Sequence, residues 1–197
     1  VMTCVDRNGD GVISYEQDRG YVGAAAYPKF VGGLSFSGDW KGIDLSFLFQ
    51  AGLGRDVALT GVYSGGIMDN TQMTKPFYHG GNSPKYLVEN SWREDNTNAE
   101  FPRLSIVQAS SNNAYSSTFW YRSGDYLRLK NLQIGYTFPQ KWMSRIGIDR
   151  LRIYFEGQNL WTVSELTKFN IDPEQPGVSN GYYPQQRIFS FGVNLAF

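Results

Sequence analysis

From Arg187 to Phe197 the chain reads RIFSFGVNLAF, and its residues alternate in character. Phe189, Phe191, Val193, Leu195 and Phe197 share one parity, while Ser190, Gly192, Asn194 and Ala196 share the other. Neighbouring side chains of a strand point to opposite faces, so the run predicts a strand with one apolar wall and one small, polar wall. FVGGLSFSGDW places Phe30, Gly32, Leu34 and Phe36 together. After a turn at SGDWKG, IDLSFLFQ sets Ile43, Leu45, Phe47 and Phe49 against Asp44, Ser46 and Gln50. Two alternating runs around a Gly/Asp turn predict a hairpin. In YLRLKNLQIGYTFP, Leu127 and Leu129 have odd parity but Leu132, Ile134 and Tyr136 have even parity. The apolar face therefore changes near Asn131, through a bulge or through a passage from protein-covered to lipid-facing depth. Pro139 predicts a short helical turn that stops at Gly147. The next strand, in IDRLRIYFEGQNLW, sets Leu151, Ile153 and Phe155 opposite Arg150, Arg152, Tyr154, Glu156 and Gln158.

Between these runs the periodicity vanishes. Residues 52–118 hold Gly, Asn, Ser and Pro at short intervals, and the segment after Trp161, TVSELTKFNIDPEQPGVSNGYYPQ, is a second long polar stretch. Five predicted strands are thus joined by connections that alternate short and long, the short ones after residues 36 and 138 and the long ones after 51 and 161. A loop of such length counts against a compact soluble domain, whereas outer-membrane barrels have tight turns at one end and long loops at the other. The row Arg150, Arg152, Glu156 suits a wet lumen, since each charge would cost several kcal/mol in a dry core. The pattern predicts an all-β fold, an antiparallel transmembrane β-barrel meander, over a soluble β-sandwich.

Composition narrows the chemistry. Eighteen basic and eighteen acidic residues cancel, so no net field points to nucleic acid. Aromatics reach 16% and charged residues only 18%, against about a quarter charged in an average domain. No run of 18 apolar residues exists, which excludes a transmembrane helix but not spanning strands. A single cysteine, Cys4, removes internal disulfides, and a single histidine, His79, removes His-pair zinc chemistry and most catalytic triads. The glycine-rich GLGR after Gln50 lacks a βαβ context for phosphate, and Glu94 with Asp95 is an adjacent loop pair without a supporting scaffold. The residues predict no enzyme. VMTCVDRNGDG shows no signal peptide; either one has been removed or, the favoured expectation, the chain begins within something larger.

Two features invite ligands. DRNGDGVISYEQD presents Asp6, Asn8 and Asp10, then Gly11 at the sharp turn and the Val12 carbonyl, matching positions 1, 3, 5 and 7 of an EF-hand-type loop. Position 9 is Ser14, and the closing acid is displaced, with Gln17 at its place and Asp18 one residue later. The alternatives are a weak calcium site and an Asx-rich turn that caps a loop; calcium is the one candidate cofactor. Trp92, Trp120, Tyr121, Trp161, Tyr182 and Tyr183 fall in or beside the long loops. They are either stacking platforms or partner contacts, or they join Trp40, Tyr136 and Trp142 in packing and interfacial girdles. Trp120, Tyr121, Trp161, Tyr182 and Tyr183 are the candidates for substrate or partner contact.

Several separate motifs resemble one family in order along the chain. DRNGDGVIS, YPKFVGGLSFSGDWKGIDLSFLFQAGLGRDV, YLRLKNLQIGYTFPQKW, IGIDRLRIYFEGQNLWT and YPQQRIFSFGVNLAF are similar to the C-terminal end of SusC/RagA-type TonB-linked outer-membrane transporters of Bacteroidetes. The resemblance implies about five C-terminal strands of a plugged barrel of roughly 22 strands. Residues 1–29 would be an extracellular loop with the calcium-like turn, and 30–197 barrel strands with long extracellular loops at about 52–118 and 161–186. It implies that the outer-membrane assembly machinery reads the terminal strand, with Phe189, Phe191, Val193, Leu195 and Phe197 as the signal. It further implies import of glycans, oligosaccharides or peptides, a SusD-like surface lipoprotein over the outer mouth, and energy from TonB through an N-terminal part absent here. Competing readings are a secreted β-sandwich carbohydrate-binding module with a calcium loop, and a glycoside hydrolase domain.

Overall fold

A computed structural model of the chain describes residues 4–14, 16–21, 23, 25, 27–59, 84–104, 117–175 and 185–197. Strands β1 (Phe30–Trp40), β2 (Ile43–Leu53), β5 (Tyr126–Thr137), β6 (Arg150–Ser164) and β7 (Ile188–Ala196) form one sheet in that order, and every neighbour pair is antiparallel. A small ribbon of β3 (Asp56–Ala58) and β4 (Tyr121–Ser123) stands apart from it. The sheet strands run from 9 to 15 residues, enough for tilted strands to cross a bilayer core.

The first hairpin turns later than SGDWKG predicts. Ser37, Gly38, Asp39 and Trp40 stay in β1, paired with Ser46, Leu45, Asp44 and Ile43, and only Lys41 and Gly42 make the turn. Both have positive φ, 49° and 88°, the geometry whose twist matches that of the flanking strands. At the same end, α2 (Gln140–Met143) follows Pro139 and the turn stops at Gly147, whose φ is 74°.

The parity change on β5 is a bulge. Leu48 pairs with Asn131 and Phe49 with Leu129, which leaves Lys130 as an extra residue. On the other side Leu129 pairs with Trp161 and Asn131 with Gln158. The bulge returns Leu127 and Leu129 to the face of Leu132, Ile134 and Tyr136. Rows then cross the whole sheet on that face: Trp40–Ile43–Tyr136–Ile153–Val193, Gly38–Leu45–Ile134–Phe155–Phe191 and Phe36–Phe47–Leu132–Gly157–Phe189. None carries a charge, and Leu34, Phe36, Phe189, Phe191 and Val193 are all more than half exposed. An apolar face of this breadth in water would aggregate.

The reverse face is polar. Asp39–Asp44–Gly135–Tyr154–Gly192 and Ser37–Ser46–Gln133–Glu156–Ser190 are among its rows. Arg152 on β6 reaches over β5 to hold the Asp44 carboxylate of β2 in a two-point bond, Nε to Oδ1 at 2.9 Å and Nη2 to Oδ2 at 2.5 Å. Gly135 lies beneath this bridge. A Cβ there would sit 2.5 Å from Asp44 Oδ1 and 2.6 Å from Arg152 Nη2. The pair therefore ties three strands together because the middle one has no side chain.

The long connections all leave the end of the sheet opposite the Lys41–Gly42 turn. Despite their irregular sequence they share a compact apolar core. Leu59 after β3, Leu87 of α1 (Lys85–Glu89), Phe101, Trp120, Leu166 and Phe169 are buried together. Phe101 stacks on Trp120 at 6.1 Å between centroids and meets Phe169 edge-on at 6.2 Å. Glu100 closes this cap. It accepts from Tyr86 Oη at 2.8 Å, Arg122 Nη2 at 3.1 Å and Lys168 Nζ at 3.2 Å, joining three chain segments. Burial raises its pKa, but the bonds from Tyr86, Lys168 and Arg122 outweigh that and hold it below the ordinary 4.5.

Two predictions follow from these contacts. Gly135→Ala is expected to break the Asp44–Arg152 bridge and to lower stability by about 1–3 kcal/mol, read as the urea midpoint of the detergent-solubilised protein. Adding Asp44→Asn should then cost little more, and a fully additive double variant would refute the shared mechanism. Because Glu100 is more acidic in the folded cap, its contribution is complete above 4.5 and is lost as pH falls through the lowered value. Fluorescence of the buried Trp120 should report cap opening on acidification below about pH 4.5. Glu100→Gln should flatten that transition, and an unchanged profile would assign the acid sensitivity elsewhere.

Candidate functional site

At the loop end of the polar face, charges gather around β5. The Arg128 side chain is only 4% exposed. It donates to Thr162 Oγ1 at 2.9 Å, to Asp172 Oδ2 at 2.9 Å and to Glu174. The bulge residue Lys130 also bonds Glu174, at 2.9 Å, and the Glu174 amide donates to Asp172 Oδ1 at 2.8 Å. Two cations of one strand thereby fasten the second long loop to the rim of the sheet. Arg55 lies beside them, buried, donating from Nε to the Gly124 carbonyl at 3.2 Å with its guanidinium 5.9 Å from the Tyr126 ring centroid. Burial pushes its pKa down, and the fields of Tyr126, Asp125, Asp172 and Glu174 oppose the shift. Such a rim can orient loops and present charge at a channel mouth. Among the described residues it pairs no nucleophile with a base.

Two grooves accompany it. One, of about 420 Å³, lies on the polar face against Ser35, Ser37, Ser46, Gln133 and Glu156. The other, of about 630 Å³, opens on the cap beside Trp92, Arg93, Glu94 and Arg103. Neither borders the rim cluster.

The predicted aromatic contacts separate. Trp120 is a correction: at 4% exposure it is a core residue of the cap, stacked on Phe101 and met edge-on by Phe119, so its ring is not open to a ligand. Trp161 pairs with Leu129 on the apolar face, half exposed, at the loop end of the sheet. Trp40 and Trp142 mark the opposite, short-turn end. Tyr121 is half-buried in β4, paired with Ala58. Tyr182 and Tyr183 lie outside the described residues. Phe189, Phe191, Val193 and Leu195 project from the apolar face of β7, and Phe197 is 84% exposed just beyond it. Cys4 is free and exposed. Arg128, Glu100 and Arg55 escaped sequence reading. A signal existed for Arg128: a cation on the polar parity of a strand requires acids, and NIDPE supplies two.

The DRNGDG turn adopts a hydrogen-bonded loop. Asp6 accepts from the amides of Gly9 at 2.7 Å and Gly11 at 2.8 Å, and Asp10 accepts from Val12 at 2.7 Å and from Asn8 Nδ2 at 2.8 Å. Gly9 and Gly11 have φ of 75° and 80°, a conformation open to glycine. Asp18 closes the loop with one oxygen on the Arg7 amide and the other on the Ser14 amide, at 2.7 and 2.6 Å. These bonds lower its pKa. Oxygens at loop positions 1, 3, 5 and 7 are present, but among the described residues no three acidic side chains converge to hold an ion.

No family model matches the chain. TonB-dependent receptor P3 of Formosa agariphila is 29% identical across 98% of this chain, which corresponds to 18% of that protein. TonB-dependent receptor SusC of Bacteroides thetaiotaomicron is 26% identical across 98% of the chain and 17% of its own length. Among solved structures, the RagAB peptide importer in its closed-closed state superposes with a TM-score of 0.61 at 26% identity, covering 98% of this chain and 20% of that one. The chain therefore spans about a fifth of the length of the relatives it matches. The antiparallel strands match the fold of the RagAB neighbour over 98% of this chain. Over nearly its whole length the chain is similar to the SusC and RagA-type TonB-dependent receptors.

Proposed function

We propose that the chain forms the C-terminal strands of an outer-membrane transporter that imports a nutrient under TonB control. The sheet strands within residues 30–197 cross the bilayer, with the long connections that follow Leu53 and Ser164 outside the cell together with residues 1–29. The observation that carries this reading is the unbroken apolar face, which suits hydrocarbon, backed by a polar face with Asp44, Arg152 and Glu156, which suits a wet lumen. The cargo is a glycan or its breakdown product. A SusD-like lipoprotein covers the loop end, and the terminal strand, with Phe189, Phe191, Val193, Leu195 and Phe197, is recognised by the assembly machinery. Chemical conversion of the cargo is no part of the proposal, since TonB supplies energy and not bond cleavage.

The reading is testable in cells and in vesicles. Deleting the gene should abolish growth on a glycan that the wild type uses, and loss of TonB should do the same. Tryptophans introduced as Val193→Trp and Leu195→Trp should be quenched by brominated lipids. Unquenched tryptophans, or growth on every nutrient without the gene, would overturn it.

For the turn, we propose a weak calcium site built on Asp6, Asn8, Asp10 and the Val12 carbonyl, with Asp18 as the closing acid once it releases the Arg7 and Ser14 amides. Millimolar calcium is then expected to raise the melting temperature by a few degrees, and the paired change Asp6→Asn, Asp10→Asn should remove that rise. If the pair leaves it intact, the turn is a hydrogen-bonded cap alone.

A further inference from the structure

We propose that the cap groove at Trp92 is a contact subsite for a neutral oligosaccharide. The inference rests on the importer reading and adds to it a place and a ligand class. Of the cap indoles, Trp120 lies within the core, whereas Trp92 is 38% exposed and lines the 630 Å³ groove. A volume of this size is ordinary for a small-ligand site.

The backbone holds Trp92 firmly. Its amide donates to the Phe101 carbonyl at 2.9 Å, and the Phe101 amide donates to the Asn90 carbonyl at 2.9 Å. Arg93 and Asn96 exchange amide bonds at 3.3 and 3.0 Å. The adjoining Ser91 is buried, with its hydroxyl on the Leu87 carbonyl at the end of α1. An indole on so fixed a segment is a preorganised platform, and little ordering entropy is lost when a ring settles on it.

The lining defines the ligand. Val88 and Leu104 add apolar area beside the indole, a surface fit for the C–H face of a pyranose. Arg93 is neutralised by Asp95 at 3.2 Å. Glu94 and Arg103 line the groove without an ion pair among the described residues. A guanidinium only donates and a carboxylate only accepts, so together they satisfy hydroxyls, which do both. Two cations and two anions make the lining neutral, which gives no advantage to a sulfated or uronic polymer. A peptide docking by strand addition is disfavoured, because the amides of Trp92 and Arg93 are already bonded within the cap.

The test uses the full-length protein extracted from outer membranes in detergent. Probes are neutral hexamers of glucose, mannose, xylose and galactose, with a tryptic peptide pool and a sulfated galactan as contrasts, followed by calorimetry. At least one neutral hexamer should bind. Trp92→Ala should weaken it by about tenfold, Trp92→Phe should stay within about threefold of wild type, and Arg103→Ala should fall between them. Unaltered fluorescence of Trp120 in Trp92→Ala would certify an intact cap. Equal binding by Trp92→Ala, no binding of any neutral hexamer, or Trp92-dependent binding confined to peptides or the sulfated polymer would overturn the assignment. Continued TonB-dependent growth with such a result would leave the importer reading standing, whereas loss of import dependence would remove that reading instead.

Discussion

Hydrocarbon offers no hydrogen bonds, and the sheet is organised around that fact. Every backbone amide at membrane depth must find a carbonyl on a neighbouring strand, and every side chain facing lipid must ask for nothing polar. The meander β1-β2-β5-β6-β7 answers both demands. Its ladders pair every strand with the next, and the bulge at Lys130 corrects the one place where the side-chain parity of β5 would have turned leucines inward and an asparagine outward. The outer strands β1 and β7 each pair on one side only. Free edges cannot stand in lipid, so the proposed transporter requires neighbours for both, which fits a chain spanning about a fifth of its relatives.

The same division explains where charge is permitted. Asp44, Arg152, Arg128 and Glu156 all project from the polar face, and the tightest contacts there tie elements that the ladders alone would leave independent. Arg152 to Asp44 crosses three strands, and Arg128 to Asp172 and Glu174 joins a strand to a loop. Glu100 joins α1, β4 and the turn at Glu165–Phe169. Isolated surface pairs contribute little. These are multi-point and largely shielded, so each removes a freedom of the chain that water would otherwise restore.

How much of this was legible follows from what a sequence can encode locally. Alternation over nine or more residues is a local signal, and β1, β2, β5, β6 and β7 all show it, as does the stop at Gly147. The first turn was displaced because Ser37, Gly38 and Asp39 look like turn residues. They remain in β1 because a lumen-facing strand tolerates small and acidic side chains. The cap was invisible for a different reason. Its core takes single residues from distant segments, Leu59, Leu87, Phe101, Trp120 and Phe169, so no window of sequence shows a period. Trp120 illustrates the consequence: a tryptophan in a loop-like stretch reads as exposed until its partners, 19 and 49 residues away in the chain, are seen around it.

That buried core changes what the long loops can do. An apolar loop cluster clamped at Glu100 and moored to the rim through Arg128 is a built surface, not a set of independent tethers. In the proposed importer, specificity for a cargo would depend on side chains that the core pushes outward. Trp92 is fixed by its own backbone bonds while Phe101, its bonding partner across the bridge, turns inward to meet Trp120. One loop, closed by a parallel bridge between Ser91 and Phe101, thus serves both roles, with the buried ring holding the cap together and the exposed ring on its outside. Changing cargo would require only the outward residues to vary, because the inward ones already satisfy a packing constraint that any cargo shares.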